Sequence, residues 1–429
     1  MLFIVLFGLV SMLSDVTHEG ASSIQGAYLS IIGASSLAIG FISGFGELLG
    51  YSLRLLFGRI ADKTKKYWPM VIIGYLIDTL AVPLLAFVGP NGWICACIIL
   101  SVERVGKAIK KPAKDTVLSF AAKEEKVGRS FALQEVLDQI GAFLGPLFLF
   151  LIMLFKGNDN TFETYALCFL ALLVPALLTI GLLFFVYHKF PHPDTFEKEE
   201  KKATPFKFRK SFLFYMVGIA LFAFSFVDYS LVSMHVSNNF AELSFLNEES
   251  LPLIYSYAML IDALSALFFG RLFDRKGVLS LAIATFLSSF STLFIFGFPA
   301  TWSLFLGVAL WGIGMGAEES ILKAMVTSMV DKSSRATGYG IFEFSFGIAW
   351  FLGSTLMGFL YEWSLLALLI VSTISSLASI PFYFLSAHFQ KKERLLSEKK
   401  ETPPELKRAA KAPSKTRKSR EVQASRLSI

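Results

Sequence analysis

The sequence predicts an all-α polytopic membrane protein, with twelve transmembrane helices in two similar six-helix bundles. Three observations predict it. Apolar residues fill 54% of the 429 positions and charged residues 17%, whereas soluble domains run at about 45–50% and about 25%. Apolar runs of about 20 residues, enough to cross a bilayer, recur along the chain. Lysine and arginine gather in every second loop.

Runs between charged or Gly/Pro/Asn breaks place the spans, in order, at about 2–31, 35–59, 69–89, 92–111, 128–155 and 163–187, then 212–239, 251–270, 278–298, 301–329, 335–361 and 364–388. The first run carries on past Asp15 with no basic segment before it, unlike a cleavable signal peptide. The charged, proline-bearing stretch after span 6 separates the halves. The expected organisation is an N-terminal bundle over 1–188, a linker over 189–211, a C-terminal bundle over 212–390 and a basic disordered tail over 391–429.

Orientation follows from the loops. "DKTKKYW", "KEEKVGR", the central linker, "DRKG", "DKSSR" and the tail are basic; "GPNG", "KGNDNTFE", "AELSFLNEES", "FPAT" and "YEW" carry almost no lysine or arginine. All the basic loops fall on one side, so both termini and the linker are expected in the cytoplasm of a prokaryotic cell, with the spans in its inner membrane. From Gln390 onward there are 13 basic and 5 acidic residues, more than the whole +7 of the chain. The basic charge belongs to a tail suited to anionic lipid headgroups, not to a nucleic-acid-binding fold. Cys95, Cys97 and Cys168 are too few for a disulfide framework and read as small apolar residues.

The halves resemble each other. "GRIADKTKK" at 58–66 returns as "GRLFDRKG" at 270–277, Glu135 matches Glu343, and "FLGPL" at 143–147 matches "FLGST" at 351–355. Duplicated bundles place a substrate site at midplane between the repeats.

These residues resemble the major facilitator superfamily over nearly the whole chain up to the tail. Gly58, Asp62, Lys63 and Lys66 fill the family's G-x-x-x-D-(R/K)-x-x-(R/K) loop signature, and Gly270, Asp274 and Arg275 form a second copy. "GAFLGP", with Gly141, Gly145 and Pro146, resembles the helix-packing Gly-x-x-x-Gly-Pro element of drug–proton antiporters, without the glycine pair that usually follows. "SDVTHEG", "ERVGKAIKKPAKD" and "GRSFALQEVLDQIGAFLGP" look like a branch of prokaryotic permeases, most without an assigned substrate. The resemblance implies that spans 1, 4, 7 and 10 line a central cavity. In the signature loops the glycines would permit close helix approach, and Asp62 would latch one access state.

Charged groups inside a span cost a few kcal/mol and are kept for function or paired internally. On span 4, Arg104, Lys107, Lys111 and Lys114 fall within an arc of about 80°. Arg104 and Lys107 lie short of the cytoplasmic end, where they can bind an anionic substrate or pair with Glu135 and Asp138 on span 5. Lys110, Lys111 and Lys114 read as exit lysines. Span 1 carries Asp15, His18 and Glu19, two acids one turn apart beside a histidine, which suits proton handling. Span 7 adds Asp228 and His235 on one face. Span 10 adds Glu318 and the pair Glu319 and Lys323, with Glu343 of span 11 as another partner for Lys323. Asp78 and Asp262 read as packing-level polar contacts, and Glu47 as a partner for Arg54. Asp15, His18 and Glu19 make an incomplete metal shell, so neither a metal nor a cofactor is expected.

The expected function is secondary active transport of a small solute by alternating access, coupled to protons, by a monomer, with a small organic anion or zwitterion as cargo. A drug/proton antiporter is the alternative within the class. A transport-inactive receptor or scaffold working through its tail is the alternative outside it. No HExxH, Walker-type loop or Gly-x-Ser-x-Gly motif points to an enzyme.

Overall fold

The computed structural model describes residues 2–121, 127–156, 161–191, 208–239, 243, 246–330 and 335–401; the side chains of 119–121, 127–131, 319, 323, 324, 327, 328, 335, 336 and 397–401 lie outside the described set. Every α or 3-10 element within it is a helix: α1 (Leu2–Ile31), α2 (Ser36–Thr64), α3 (Tyr67–Leu84, prolonged by a 3-10 turn at Leu85–Phe87), α4 (Trp93–Ala121), α5 (Val127–Lys156), α6 (Thr161–Ala171), α7 (Leu173–Lys189), α8 (Lys210–Ser225), α9 (Tyr229–Asn238), α10 (Ser250–Lys276), α11 (Val278–Ser288), α12 (Ser291–Phe296), α13 (Thr301–Met329), α14 (Arg335–Trp363) and α15 (Leu365–Glu401).

Three of the twelve spans are made of two helices, and each interruption has a local cause. Between α6 and α7, Pro175 has no N–H to offer the carbonyl four residues earlier. Between α11 and α12 the Ser288 and Ser289 hydroxyls bond the carbonyls of Thr285 and Phe286, competing with the backbone ladder. Between α8 and α9 the chain is extended at Phe226 and Asp228. There the freed carbonyl of Val227 accepts a hydrogen bond from Trp311 Nε1 at 2.8 Å. Broken backbone inside hydrocarbon survives only when such partners are supplied.

Among the described residues, eleven stretches are long and apolar enough to cross a membrane. The twelfth, α4, is long enough, but its apolar start is followed within three turns by Glu103, Arg104, Lys107 and Lys110. Large apolar side chains such as Phe87, Phe155, Ile94 and Leu366 stay exposed on the outside, as lipid-facing residues do.

α1–α7 and α8–α15 form the two bundles, which meet mainly through α2 with α14, α1 with α9, and α5 with α10. Glycines set the tightest approaches. A Cβ on Gly26 would lie 1.6 Å from the Ser230 carbonyl oxygen, and one on Gly40 2.3 Å from that of Ser354. These crossings, with Ser36 Oγ donating to Glu362 Oε1 at 2.9 Å and Leu37 N to the same atom at 3.3 Å, lie toward the end of the molecule with the neutral loops. That end is closed.

Within the N-terminal bundle, Gly141 and Gly145 let α5 ride against α1: a Cβ on either would stand 2.4 Å from a carbonyl oxygen, of Met12 or Val16. Gly58 and Gly270 differ from expectation. The nearest atoms to a Cβ there are Pro112 Cβ at 3.7 Å and Ser320 Cβ at 3.8 Å, ordinary contact distances that leave room for a methyl group. The tail also departs from expectation, because α15 continues to Glu401, past the boundary at 391. Most of the linker (192–207) and residues 402–429 lie outside the described residues.

The two classes of glycine predict opposite outcomes. Gly145→Ala pushes a methyl group into the α1 backbone and will cost about 1–3 kcal/mol, the usual penalty of overpacking, lowering the midpoint of thermal unfolding in detergent. Gly58→Ala will leave that midpoint unchanged within error.

Candidate functional site

Arg104 sits where α4 crosses α2. Gly46 makes the crossing possible, since a Cβ there would lie 3.1 Å from Arg104 Cγ. The side chain passes α2 and Nη1 donates to Glu47 Oε1 at 2.7 Å, while Nε lies 3.4 Å from Glu103 Oε2. Arg104 and Glu47 keep 21% and 23% of their side-chain surface exposed, against 3% for Glu103. The outer pair is therefore reachable, and Glu103 is sealed behind it. Arg104 also interacts electrostatically with Glu19 and, across the seam, with Asp228 of the other bundle.

This corrects the expected partners. Glu135 is exposed, and Asp138 pairs with Lys114 at 3.5 Å rather than with Arg104 or Lys107. Glu47 is taken by Arg104, and the Arg54 guanidinium instead lies 4.8 Å from the Tyr51 ring centre. Lys107 is half-buried.

Deeper in the bundle a ladder of charges runs along α4. Lys110 and Lys114 are buried, not exit lysines, because α4 continues to Ala121 and keeps both inside. Lys110 forms a short ion pair with Asp78 of α3 and donates to Ser14 Oγ at 2.8 Å, and Ser14 Oγ donates to Asp78 Oδ2 at 3.1 Å. Asp78 is thus an ion-pair partner rather than a packing contact. Lys114 donates to Ser11 Oγ, and Gln134 Nε2 steadies Asp138 at 3.0 Å. Lys111 remains at the rim, 4.0 Å from Asp115.

On α1, His18 is buried and turns Nδ1 toward Glu103 Oε1 at 2.7 Å, with Nε2 3.7 Å from Glu19 Oε1. Glu19 accepts a hydrogen bond from the Tyr255 hydroxyl of α10 at 2.6 Å, so this acid touches both bundles. Asp15 is half-buried beside Gly141. A nitrogen of His18 and one oxygen each of Asp78 and Glu103 lie within 4.8 Å of one another. Lys110 and Arg104 already bring two positive charges to the outer oxygens of this group, which disfavours a divalent metal there.

In the other bundle, Asp228, at the start of α9, and His235, in its last turn, bind different partners. Asp228 accepts from Trp350 Nε1 at 2.9 Å and from the Ser354 hydroxyl, both on α14. His235 Nδ1 lies 2.8 Å from the Tyr361 hydroxyl, and its ring packs on Phe296. Glu318 and Glu343 are half-buried, while the side chain of Lys323 lies outside the described residues. Asp62, Lys63 and Lys66, with Asp274 and Arg275 in the second copy, are exposed at the basic-loop end.

At the neutral-loop end, Glu248 lies between α9 and α10. It accepts hydrogen bonds from the Tyr165 hydroxyl of the N-terminal bundle and from Ser237 Oγ at 3.2 Å. Burial pushes its carboxyl above the usual range, and the two hydrogen bonds only partly oppose this.

Sequence reasoning missed Glu103, Lys110, Lys114 and Asp78 as a connected set. The signal was present in two coincident stripes. Ser11, Ser14 and His18 share one face of α1, and Glu103, Lys107, Lys110 and Lys114 share one face of α4.

Comparison with known proteins agrees with this architecture. The family model described as Major Facilitator Superfamily matches residues 7–277 and 232–423. An uncharacterised protein of Mycobacterium tuberculosis is 34% identical over 388 residues, covering 89% of this chain and 92% of the relative. An uncharacterised MFS-type transporter of Methanocaldococcus jannaschii is 28% identical over 368 residues, 83% and 88% of the two chains. Among solved structures, a peptide transporter (POT) in complex with sulfate aligns with TM-score 0.70 at 13% identity over 91% of this chain and 94% of that one. The nucleoside transporter NupG aligns with TM-score 0.65 at 15% identity, over 91% and 99%.

Two outcomes follow from the geometry. Asp78→Asn leaves Lys110 buried without its counter-charge and will destabilise the folded protein by about 3–5 kcal/mol, read as thermal unfolding in detergent; Asp78→Leu combined with Lys110→Met will recover most of the loss. The raised Glu248 carboxyl means that the closed contact binds a proton more readily than an open loop does. Closure at the neutral-loop end is therefore favoured as pH falls and released as pH rises through that raised range. Electron–electron distance measurements between spin labels at positions 87 and 247, in a cysteine-free background, will show this pH dependence, and Glu248→Gln will remove it.

Proposed function

The chain belongs to the major facilitator superfamily, and from that premise we propose that this membrane transporter works by proton-coupled alternating access on a small organic anion or zwitterion. One observation carries the choice of cargo. A partly exposed arginine stands at the seam of the bundles, held by Glu47 in front and Glu103 behind, within electrostatic reach of Asp228 in the other half. The guanidinium fork offers two parallel donors to a carboxylate or phosphate. An arriving anion competes with Glu47 for those donors, so binding rearranges a contact between α2 and α4 instead of filling an inert hole. The surrounding acids suit a cationic group on the same solute, which is why a zwitterion fits as well as an anion.

Coupling is assigned to the acids of α1. Glu19 is hydrogen-bonded across the seam to Tyr255, so its freedom to exchange a proton depends on how the bundles stand. With the basic loops placed in the cytoplasm of a prokaryotic cell, the neutral-loop end, where the bundles are in contact, is the outer one. The closure is made of hydrogen bonds and glycine crossings, which a rocking motion can break at modest cost.

The test is a thermal-shift screen of the purified full-length protein against anionic and zwitterionic metabolites at two pH values. Compounds that stabilise the wild type will lose on the order of tenfold or more in affinity with Arg104→Gln. In proteoliposomes carrying such a compound, Glu19→Gln will abolish pH-driven flux and spare counterflow exchange. Unchanged pH dependence would remove Glu19 from the mechanism.

A further inference from the structure

We propose that His18, Glu103 and Asp78 form a buried site, separate from the seam, where a single coupling proton rests, with Glu19 as its exit. This inference deepens the proton-coupled reading above and rests on it. The three residues come from α1, α4 and α3, and each is at least nine-tenths buried. Asp78 Oδ1 and Glu103 Oε1 accept no hydrogen bond among the described residues. Glu103 Oε1 faces His18 Nδ1 at 2.7 Å, and the other imidazole nitrogen faces Glu19 Oε1 at 3.7 Å.

A neutral imidazole carries one N–H and can serve only one of these acids. With one further proton both ring nitrogens donate, one toward Glu103 and one toward Glu19, while Asp78 Oδ1 stands within 4.8 Å. Charged groups face the site from several neighbouring helices. Its own helix supplies Glu19, with Asp15 one turn further on. α3 supplies Asp78, and Tyr75 under Lys110. α4 supplies Glu103, Arg104, Lys107 and Lys110, α2 supplies Glu47, and α10 supplies Tyr255. Toward α5 the facing acid is Asp138, occupied by Lys114. α7 is preceded by Leu172 and α9 presents Ser230, both against glycines of α1. The acids Asp15, Glu19, Glu47, Asp78 and Glu103 outnumber the cations Arg104, Lys107 and Lys110 by two formal charges, which leaves the cluster room for a further proton.

The exit is tied to the access state. Glu19 uses its second oxygen to accept from Tyr255 of the opposite bundle at 2.6 Å. Separation of α1 from α10 takes that donor away. Glu19 then accepts the proton from His18 Nε2, the imidazole returns to its neutral form, and the protonated Glu19 releases the proton to whichever side is open.

The experiment needs no substrate. Protons taken up by the purified full-length protein on acidification from about pH 8, through and below the range of an unperturbed histidine, are counted with a pH-indicator dye. Both His18→Asn and Glu103→Gln will take up one proton fewer than the wild type, and the double variant also only one fewer, because all three changes delete the same proton. A count unchanged in the single variants, or a double variant that loses two, would overturn the proposal. Thermal unfolding checks each variant, and if one does not fold the other decides alone. Titration with Mn²⁺, followed by electron paramagnetic resonance, should show no stoichiometric binding; binding that the wild type has and the variants lack would turn the site into a metal site and sink the proton assignment. Since flux is not measured, failure here leaves the Glu19 transport test standing, and failure of that test leaves this count interpretable.

Discussion

A charge that cannot reach water must find its counter-charge inside the bundle, and α4 is built around that requirement. It carries Glu103, Arg104, Lys107, Lys110 and Lys114 through the interior, where an unpaired ion would cost several kcal/mol. The surrounding helices are arranged to answer it. α2 presents Glu47, α3 presents Asp78, α5 presents Asp138, and α1 contributes Ser11 and Ser14 to fill the remaining donor and acceptor positions. Glycines allow the long side chains to pass: Gly46 stands against Arg104, and Gly74 against the Lys110 backbone and Cβ.

The pairing divides the charges by depth. Those at the seam, Arg104 with Glu47, keep some exposure and contact groups that move with the bundles. Those below it, Lys110 with Asp78 and Lys114 with Asp138, are bound within one bundle and hold its helices in register. Between the two lies the His18 and Glu103 contact, linked outward through Glu19 to the opposite bundle. A transporter that rocks two bundles needs both kinds: fixed pairs so that each half moves as a body, and exchangeable pairs where the halves meet. The C-terminal half achieves the same by other means. Its broken span spends Asp228 on Trp350 and Ser354 and its open carbonyl on Trp311, so the irregular backbone is anchored to α13 and α14.

Much of this was legible in the sequence. Span number, the repeat and the positions of most helix ends follow from apolar run length and loop charge, because lipid forbids other ways of satisfying the backbone. That α4 could not face lipid was also readable, from its basic residues alone. The identity of the partners was not. Counting residues from the start of the helix puts Lys110 and Lys114 at the membrane exit, whereas α4 runs to Ala121 and keeps both inside. Glu135 looked as suitable a partner for Arg104 as any acid, yet it points outward.

The chain itself determined how many helices cross the membrane and which of them carry charge, since both depend only on local composition and the thickness of hydrocarbon. Tertiary structure decided which acid meets which base, that α8 and α9 are separate, and that His18 turns to Glu103. The reason is one of range. Pairing depends on which faces of distant helices are pressed together, and side-chain spacing along a single helix contains no information about its neighbour's rotation.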